Sequence, residues 1–180
     1  MILLTTSRRP TKAMRTFCHE LKRAIPNIIR INRGKTSFDE LAEKAMELHA
    51  NRVIIVDRWH GGVGKIQFFN VDTSGLTLTY PTIQVAKVKL QREFGEKRMK
   101  PNKTLAISKT SQNFTEGNIL AQSLSKFLEV PILSVEDAIA NGYHAIMQIS
   151  RDTSNQLQMT FLKLPAVRET GPRIIIKQLT

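Results

Sequence analysis

The chain has 180 residues, 41% of them hydrophobic, which describes a folded globular protein and excludes a disordered chain without enough apolar surface to offset its entropy. Its 27 Lys and Arg against 15 Asp and Glu give a formal net charge of +12, pointing to a polyanionic partner, nucleic acid or an acidic membrane face. The single cysteine, Cys18, excludes an internal disulfide and a multi-cysteine metal framework, and no apolar run is long enough for a transmembrane helix.

The apolar residues 1–4 meet Arg8 and Arg9 too soon to serve as a signal peptide, so a cytoplasmic protein is expected. Leu3 and Leu4 open a strand that ends in the donor-rich loop Thr5-Thr6-Ser7-Arg8-Arg9-Pro10. Met14, Phe17, Cys18, Leu21 and Ile25 then recur at helical spacing, and Pro26 stops that helix. Ile28, Ile29 and Ile31 are a β-branched strand, and Asn32-Arg33-Gly34-Lys35 is a second basic turn. Ser37 with Glu40 reads as a capping box for a helix whose face is Phe38, Leu41, Ala45 and Leu48. Residues 53–56 form a short buried strand, Gly61-Gly62 a turn, and residues 65–71 its return. Leu76, Leu78 and Tyr80 alternate with threonines as a further strand before a basic stretch, residues 87–103.

After that stretch the pattern restarts. Leu105-Ala106-Ile107-Ser108-Lys109 aligns with Leu3-Leu4-Thr5-Thr6-Ser7. Leu120, Leu124, Phe127 and Leu128 mark a helix, Pro131 stands where Pro26 did, Ser134 with Asp137 caps another helix, and Asn141-Gly142 ends it. At a constant offset of 93, Val56, Arg58, Ile66, Phe68 and Val71 match Ile149, Arg151, Met159, Phe161 and Leu164. The expected fold is therefore α/β, a tandem duplication with mixed sheets and helices packed on them. Residues 1–86 form the first half, 87–103 a basic connector and 104–180 the second half.

Charge is confined to two blocks. Residues 1–35 carry nine basic residues against Glu20, residues 87–109 carry eight against two acids, and the last 71 residues carry six of each sign. Loops leaving parallel strands emerge at one sheet edge, so residues 7–12 and 30–35 should converge, each before a helix whose N-terminal N–H groups favour phosphate. The candidate ligand residues are Thr6, Ser7, Arg8, Arg9, Lys12, Arg15, Arg30, Asn32, Arg33 and Lys35, with Arg98, Lys100, Lys103 and Arg173 as additional contacts. Arginine's fork suits phosphate bidentately, and the hydroxyls add neutral donors. Arg33, beside Gly34, has the competing role of tying down its own turn.

Catalytic signatures are missing. Gly61-Gly62-Val63-Gly64-Lys65 lacks the upstream glycine of a phosphate loop, and Ile66 replaces the Ser or Thr that would hold magnesium. His19, His49, His60 and His144 share no ligand spacing, and Cys18 lies on an apolar helix stripe. No enzyme, metal, cofactor or small-molecule substrate is expected. With aromatics at 6%, extensive base stacking is not the leading mode, and Trp59 is one stacking candidate.

The opening Thr5-Thr6-Ser7-Arg8-Arg9-Pro10 with Phe17, Leu21, Ile25-Pro26-Asn27 and Arg30-Ile31-Asn32-Arg33-Gly34 resembles that of the Brix-domain family of ribosome-biogenesis proteins. The tail Glu169-Thr170-Gly171-Pro172-Arg173, running into three isoleucines, resembles its closing element. Without the extensions of larger members, the chain looks like the stand-alone archaeal form; its central hairpin, residues 59–64, departs from the family pattern. The resemblance implies two halves related to the anticodon-binding domain of certain aminoacyl-tRNA synthetases. It also implies a non-enzymatic, RNA-binding factor that acts on ribosomal RNA or its precursor, with other ribosome-assembly proteins as further partners. The alternative is a protein-binding scaffold whose basic surface docks an acidic partner.

Overall fold

The computed structural model describes residues 1–95 and 99–180. In the first half β1 (Ile2–Thr6), α1 (Lys12–Ala24), β2 (Ile28–Arg30), α2 (Phe38–Glu47) and β3 (Arg52–Trp59) alternate, followed by β4 (Gly62–Asp72) and β5 (Gly75–Lys89). A short 3-10 turn, Gln91–Phe94, begins the connection. The second half runs β6 (Leu105–Ser108), α3 (Thr115–Leu128), β7 (Ile132–Leu133), α4 (Val135–Ala140), β8 (Ala145–Arg151), β9 (Leu157–Lys163), β10 (Arg168–Glu169) and β11 (Arg173–Leu179).

The helices begin where the chain offers caps. Thr11 accepts the Met14 N–H, Ser134 accepts that of Asp137, and Ser37 and Glu40 form a reciprocal capping box. The strands join one mixed sheet in the order β2-β1-β3-β4-β5-β11-β9-β8-β6-β7, with β10 beside β9. β1 pairs in parallel with β2 and β3, and β6 with β7 and β8. The strand order thus repeats on either side of the antiparallel β5–β11 pair. The outermost strands, β2 and β7, are only three and two residues long, which limits the open edge available to another chain.

The hairpins keep one register. Ile54 faces Phe68 and Val56 faces Ile66, while Met147 faces Phe161 and Ile149 faces Met159, each pair displaced by 93. The first strands do not follow the alignment expected from sequence. Leu4 pairs with Ile54 and Ile107 with Met147, so Leu4 is equivalent to Ile107, and Leu3 to Ala106. The sequence alignment of β1 on β6 is one residue out of step, and burial explains why. Leu3 and Ala106 pack on one face, Leu4 and Ile107 on the other, and a one-residue slip would reverse both faces.

Helices cover both faces. α1 and α3 share a continuous apolar layer that crosses the junction of the halves, where Phe127 of α3 meets Phe68 of β4 edge to face at 5.0 Å. α2 covers a separate cluster with Leu3, Val53, Ile55 and Phe69, and α4 covers Ala106, Ile146 and Leu162. Phe17 and Phe161 are completely enclosed, and truncating either to alanine would cost about 3–5 kcal/mol.

β5 is longer than the alternating threonines indicate. It passes through Pro81 to Lys89, so Lys87 and Lys89 belong to a strand paired with β11 and not to a linker. The following segment is anchored to α1: the Gln91 N–H donates to the Glu20 carboxylate at 2.9 Å, and the Asn102 side chain donates to the Ala24 carbonyl at 3.0 Å.

Candidate nucleic-acid interface

Three consecutive parallel strands end together. Ile31 donates its N–H to the Leu4 carbonyl, Thr5 Oγ1 donates to the Ile31 carbonyl, and the Ser7 N–H donates to the Val56 carbonyl. These bonds bring the loop after β1, the loop after β2 and the end of β3 to the same edge. Between them lies an open cleft of about 660 Å³ lined by Ser7, Arg8, Arg9, Arg33, Phe38 and Arg58, among others. Arg9 sits at φ 56°, outside the usual range for a side chain of its size, and its carbonyl accepts from the Arg58 guanidinium at 3.4 Å.

Charge in the cleft is poorly compensated. Among the described residues, Arg8, Arg9, Arg33 and Arg58 form no salt bridge with a carboxylate. Asp57 lines the same cleft but lies 3.6 Å from Lys65 and accepts the Arg58 N–H. Arg33 is only 5% exposed, and its Nε donates to the Thr36 carbonyl at 2.7 Å while the guanidinium lies over the Phe38 ring. Burial and the adjacent Arg8 charge both disfavour its cationic form. Ser7 Oγ and Arg30 Nε are enclosed without a hydrogen-bond partner. An anion in the cleft would relieve the repulsion between the guanidinium groups that line it.

The helix termini reinforce this asymmetry. α2, α3 and α4 each carry carboxylates in the first turn, whereas α1 has none and places Lys12 and Arg15 there instead. Cations at the positive end of a helix are unfavourable unless an anion joins them.

The predicted residues do not form one cluster. Arg8, Arg9 and Arg33 share the cleft on the α2 face. Arg30 projects toward α1, where its charge acts on Cys18, and its Nη2 donates to Asn32 Oδ1 at 3.1 Å, so Asn32 positions an arginine. Lys12, Arg15 and Lys35 are exposed but do not line the cleft. Thr6 is a correction to the expectation: it lies within β1 between β2 and β3, is 3% exposed, and does not present its hydroxyl at the surface. Arg33 is largely occupied by its own turn. Arg173 is also committed, through Nε and Nη2, to both carboxylate oxygens of Glu169 at 2.7 and 2.5 Å, beneath the ring of Phe94. Lys100 and Lys103 are exposed on the connector, and Arg98 lies outside the described residues.

Arg58 is the residue missed by sequence reasoning. The parallel-strand rule that places the first two loops together also brings the end of β3 to that edge, and this signal was present in the offset that pairs Arg58 with Arg151. The equivalent edge of the second half forms a cleft lined by Ser108, Lys109, Thr110, Ser111 and Arg151, but Arg151 is bonded to Glu116 at 2.9 Å. The second cleft is rich in hydroxyl groups and largely neutralised; the first is cationic.

Gly61-Gly62-Val63-Gly64-Lys65 is a hairpin. Trp59 pairs with Gly62 across the turn residues His60 and Gly61, and Lys65 faces Asp57 within the β3–β4 ladder. Among the described residues no group of three or more His, Cys, Asp or Glu side chains could hold a metal ion, and no helix is long and apolar enough to cross a membrane.

Fold and site together define a mixed α/β domain whose repeated halves present strand-end loops at matching edges, one basic and one neutral. A crystal structure of a probable ribosomal biogenesis protein from Aeropyrum pernix K1 has this fold: TM-score 0.76 and 24% identity over 97% of this chain and 94% of that one. No family model matches the chain. Curated relatives do. A "probable Brix domain-containing ribosomal biogenesis protein" of Pyrococcus abyssi is 28% identical over 190 aligned residues, covering 98% of this chain and 83% of that protein. Its namesake in Pyrococcus horikoshii is 39% identical over 104 residues, 56% of this chain, so the match spans less than half, 45%, of that relative. Along nearly its whole length, then, the chain is similar to proteins named as Brix domain-containing ribosomal biogenesis proteins.

Proposed function

We propose that this protein is a ribosome-biogenesis factor that binds ribosomal RNA or its precursor through the basic edge of its first half and assists pre-rRNA processing or subunit assembly. The observation that carries this reading is the cleft between the β1, β2 and β3 ends, where four arginines meet without a carboxylate partner among the described residues. The names of the relatives support the cellular role. The chemistry of the cleft supports this reading, because guanidinium groups on short loops suit phosphates. Backbone and shape recognition of structured RNA fits better than sequence readout, because among the described residues the cleft is lined by guanidinium groups and a single ring, Phe38. Catalysis has no part in the reading. The two halves are read as a duplication in which both supply the sheet and the first supplies the charge.

Ultraviolet crosslinking in cells, with the attached peptides identified, tests this proposal. Crosslinks from ribosomal RNA to residues 7–12, 30–35 and 58 are expected. Crosslinks confined to the second-half cleft, or an acidic protein captured at the basic edge in place of RNA, would overturn it.

A further inference from the structure

Trp59 ends β3 with 68% of its surface exposed, the most exposed large apolar side chain among the described residues. Its backbone, by contrast, is tightly fixed. It pairs with Gly62 across a two-residue turn in which His60 and Gly61 have φ of 44° and 80°, the positive pair required by a type I′ hairpin. A bulge follows Asp57 on the paired strands, and Gly64 there lies against Trp59 so closely that a Cβ would fall on the Trp59 Cβ and within 2.9 Å of its backbone nitrogen. The ring of His60 stands edge-on to the indole, with centroids 4.7 Å apart. The result is a flat aromatic surface projected from a rigid support.

Two clefts that carry cations border the indole. A cleft of about 440 Å³ on one side includes Lys87, and a second of about 440 Å³ on the other includes Arg58, Lys65 and Lys177. Of these cations only Lys65 is paired, with Asp57, among the described residues. Glu93, at the rim of the first cleft, is occupied in accepting the Leu90 N–H at 2.7 Å. An aromatic face flanked by Arg58, Lys87 and Lys177, none of them ion-paired with a carboxylate among the described residues, suits a group that is planar and anionic at its margins. Arg58 also lines the cleft of the strand-end loops, so the indole and that basic edge are continuous. The second half has no counterpart, since the turn after Arg151 is built on Asp152, which accepts the Ser154 and Gln156 N–H groups.

We propose that Trp59 is a stacking platform for a single unpaired nucleobase of the bound RNA, with flanking phosphates met by Arg58, Lys87 and Lys177. This rests on the RNA-binding reading above and adds to it: the ligand combines a structured region at the loops with an unpaired nucleotide at the hairpin.

Trp59 is the only tryptophan, so its emission reports this site alone. The full-length protein is titrated with a fully paired RNA duplex and with the same duplex carrying a single-stranded tail. Quenching by the tailed RNA and not by the duplex is expected. Trp59→Ala should weaken binding of the tailed RNA by about 5-fold to 150-fold, the range for loss of one base–aromatic stack. It should leave duplex affinity unchanged, and Trp59→Phe should restore part of the loss. Unquenched emission together with unchanged affinity of Trp59→Ala for both RNAs would overturn the platform while leaving the basic edge standing. Failure of the wild-type protein to bind either RNA would overturn both. Quenching by a polyglutamate peptide and not by RNA would reassign the surface to an acidic protein.

Discussion

Arg173→Met separates structural cations from ligand-binding ones. Arg173 and Glu169 form a two-point bridge at 2.7 and 2.5 Å, both side chains are roughly 70% buried, and Thr160 Oγ1 donates a further bond to Glu169 at 2.7 Å. Methionine preserves the contact with Phe94 but leaves a half-buried carboxylate without its cation. Charge-assisted bonds of this kind contribute about 1.5–3 kcal/mol each, but partial exposure and the retained Thr160 bond reduce the total to about 2 kcal/mol. For a chain of this size that corresponds to a fall in Tm of roughly 4–8 °C by calorimetry or circular dichroism. RNA affinity should not change. Burial pushes the Glu169 carboxyl up, but its bonds to Arg173 and Thr160 and the nearby cations bring it below the ordinary glutamate range. The bridge is therefore intact above about pH 4.3, the unfolded-state value, and its contribution is lost as pH falls through the lower folded value. Glu169→Gln should abolish that part of the acid dependence. A variant at Arg173 with wild-type Tm and weakened RNA binding would refute the assignment.

Other positions carry independent expectations. Ser37→Ala removes the side-chain acceptor for the Glu40 N–H in the capping box and should lower unfolding stability by about 1 kcal/mol in a denaturant titration, while an unchanged midpoint would discount the cap. Gly64→Ala forces a Cβ onto Trp59 and should cost about 1–3 kcal/mol and shift tryptophan emission; wild-type stability and spectrum would contradict the described hairpin. Burial pushes the Cys18 thiol up to about 12, so a thiol reagent at neutral pH should label it only after unfolding, and rapid labelling of the native protein would contradict its enclosure in the α1 core.

Much of the fold was legible because local periodicity and caps carry it: the α1 stripe, the Ser37–Glu40 box and the displaced hairpins each have a short-range signal. The length of β5 was not legible, since Pro81 and the lysines after it look like a break and a linker. What continues the strand is its pairing with β11, nearly ninety residues away in sequence. The one-residue misalignment of β1 on β6 has a similar origin, because only parallel pairing with β3 and β8 fixes which residues face each layer. At the site, convergence of the two loops followed from strand direction alone. The burial of Thr6, the self-contained turn of Arg33 and the pairing of Arg173 with Glu169 depend on neighbours that composition cannot reveal. Arg58 was hidden by lying in a segment of net negative charge.

Binding of RNA at the basic edge is decided by the salt dependence of affinity for a ribosomal RNA fragment, measured for the wild-type protein and for the Arg8→Glu, Arg9→Glu, Arg58→Glu triple variant. With three phosphate contacts at those exposed arginines, the log–log slope should become shallower by about 2–3 in the variant, and affinity should fall at every salt concentration. A wild-type affinity flat in salt, or a variant that retains the wild-type slope, would contradict the proposed interface.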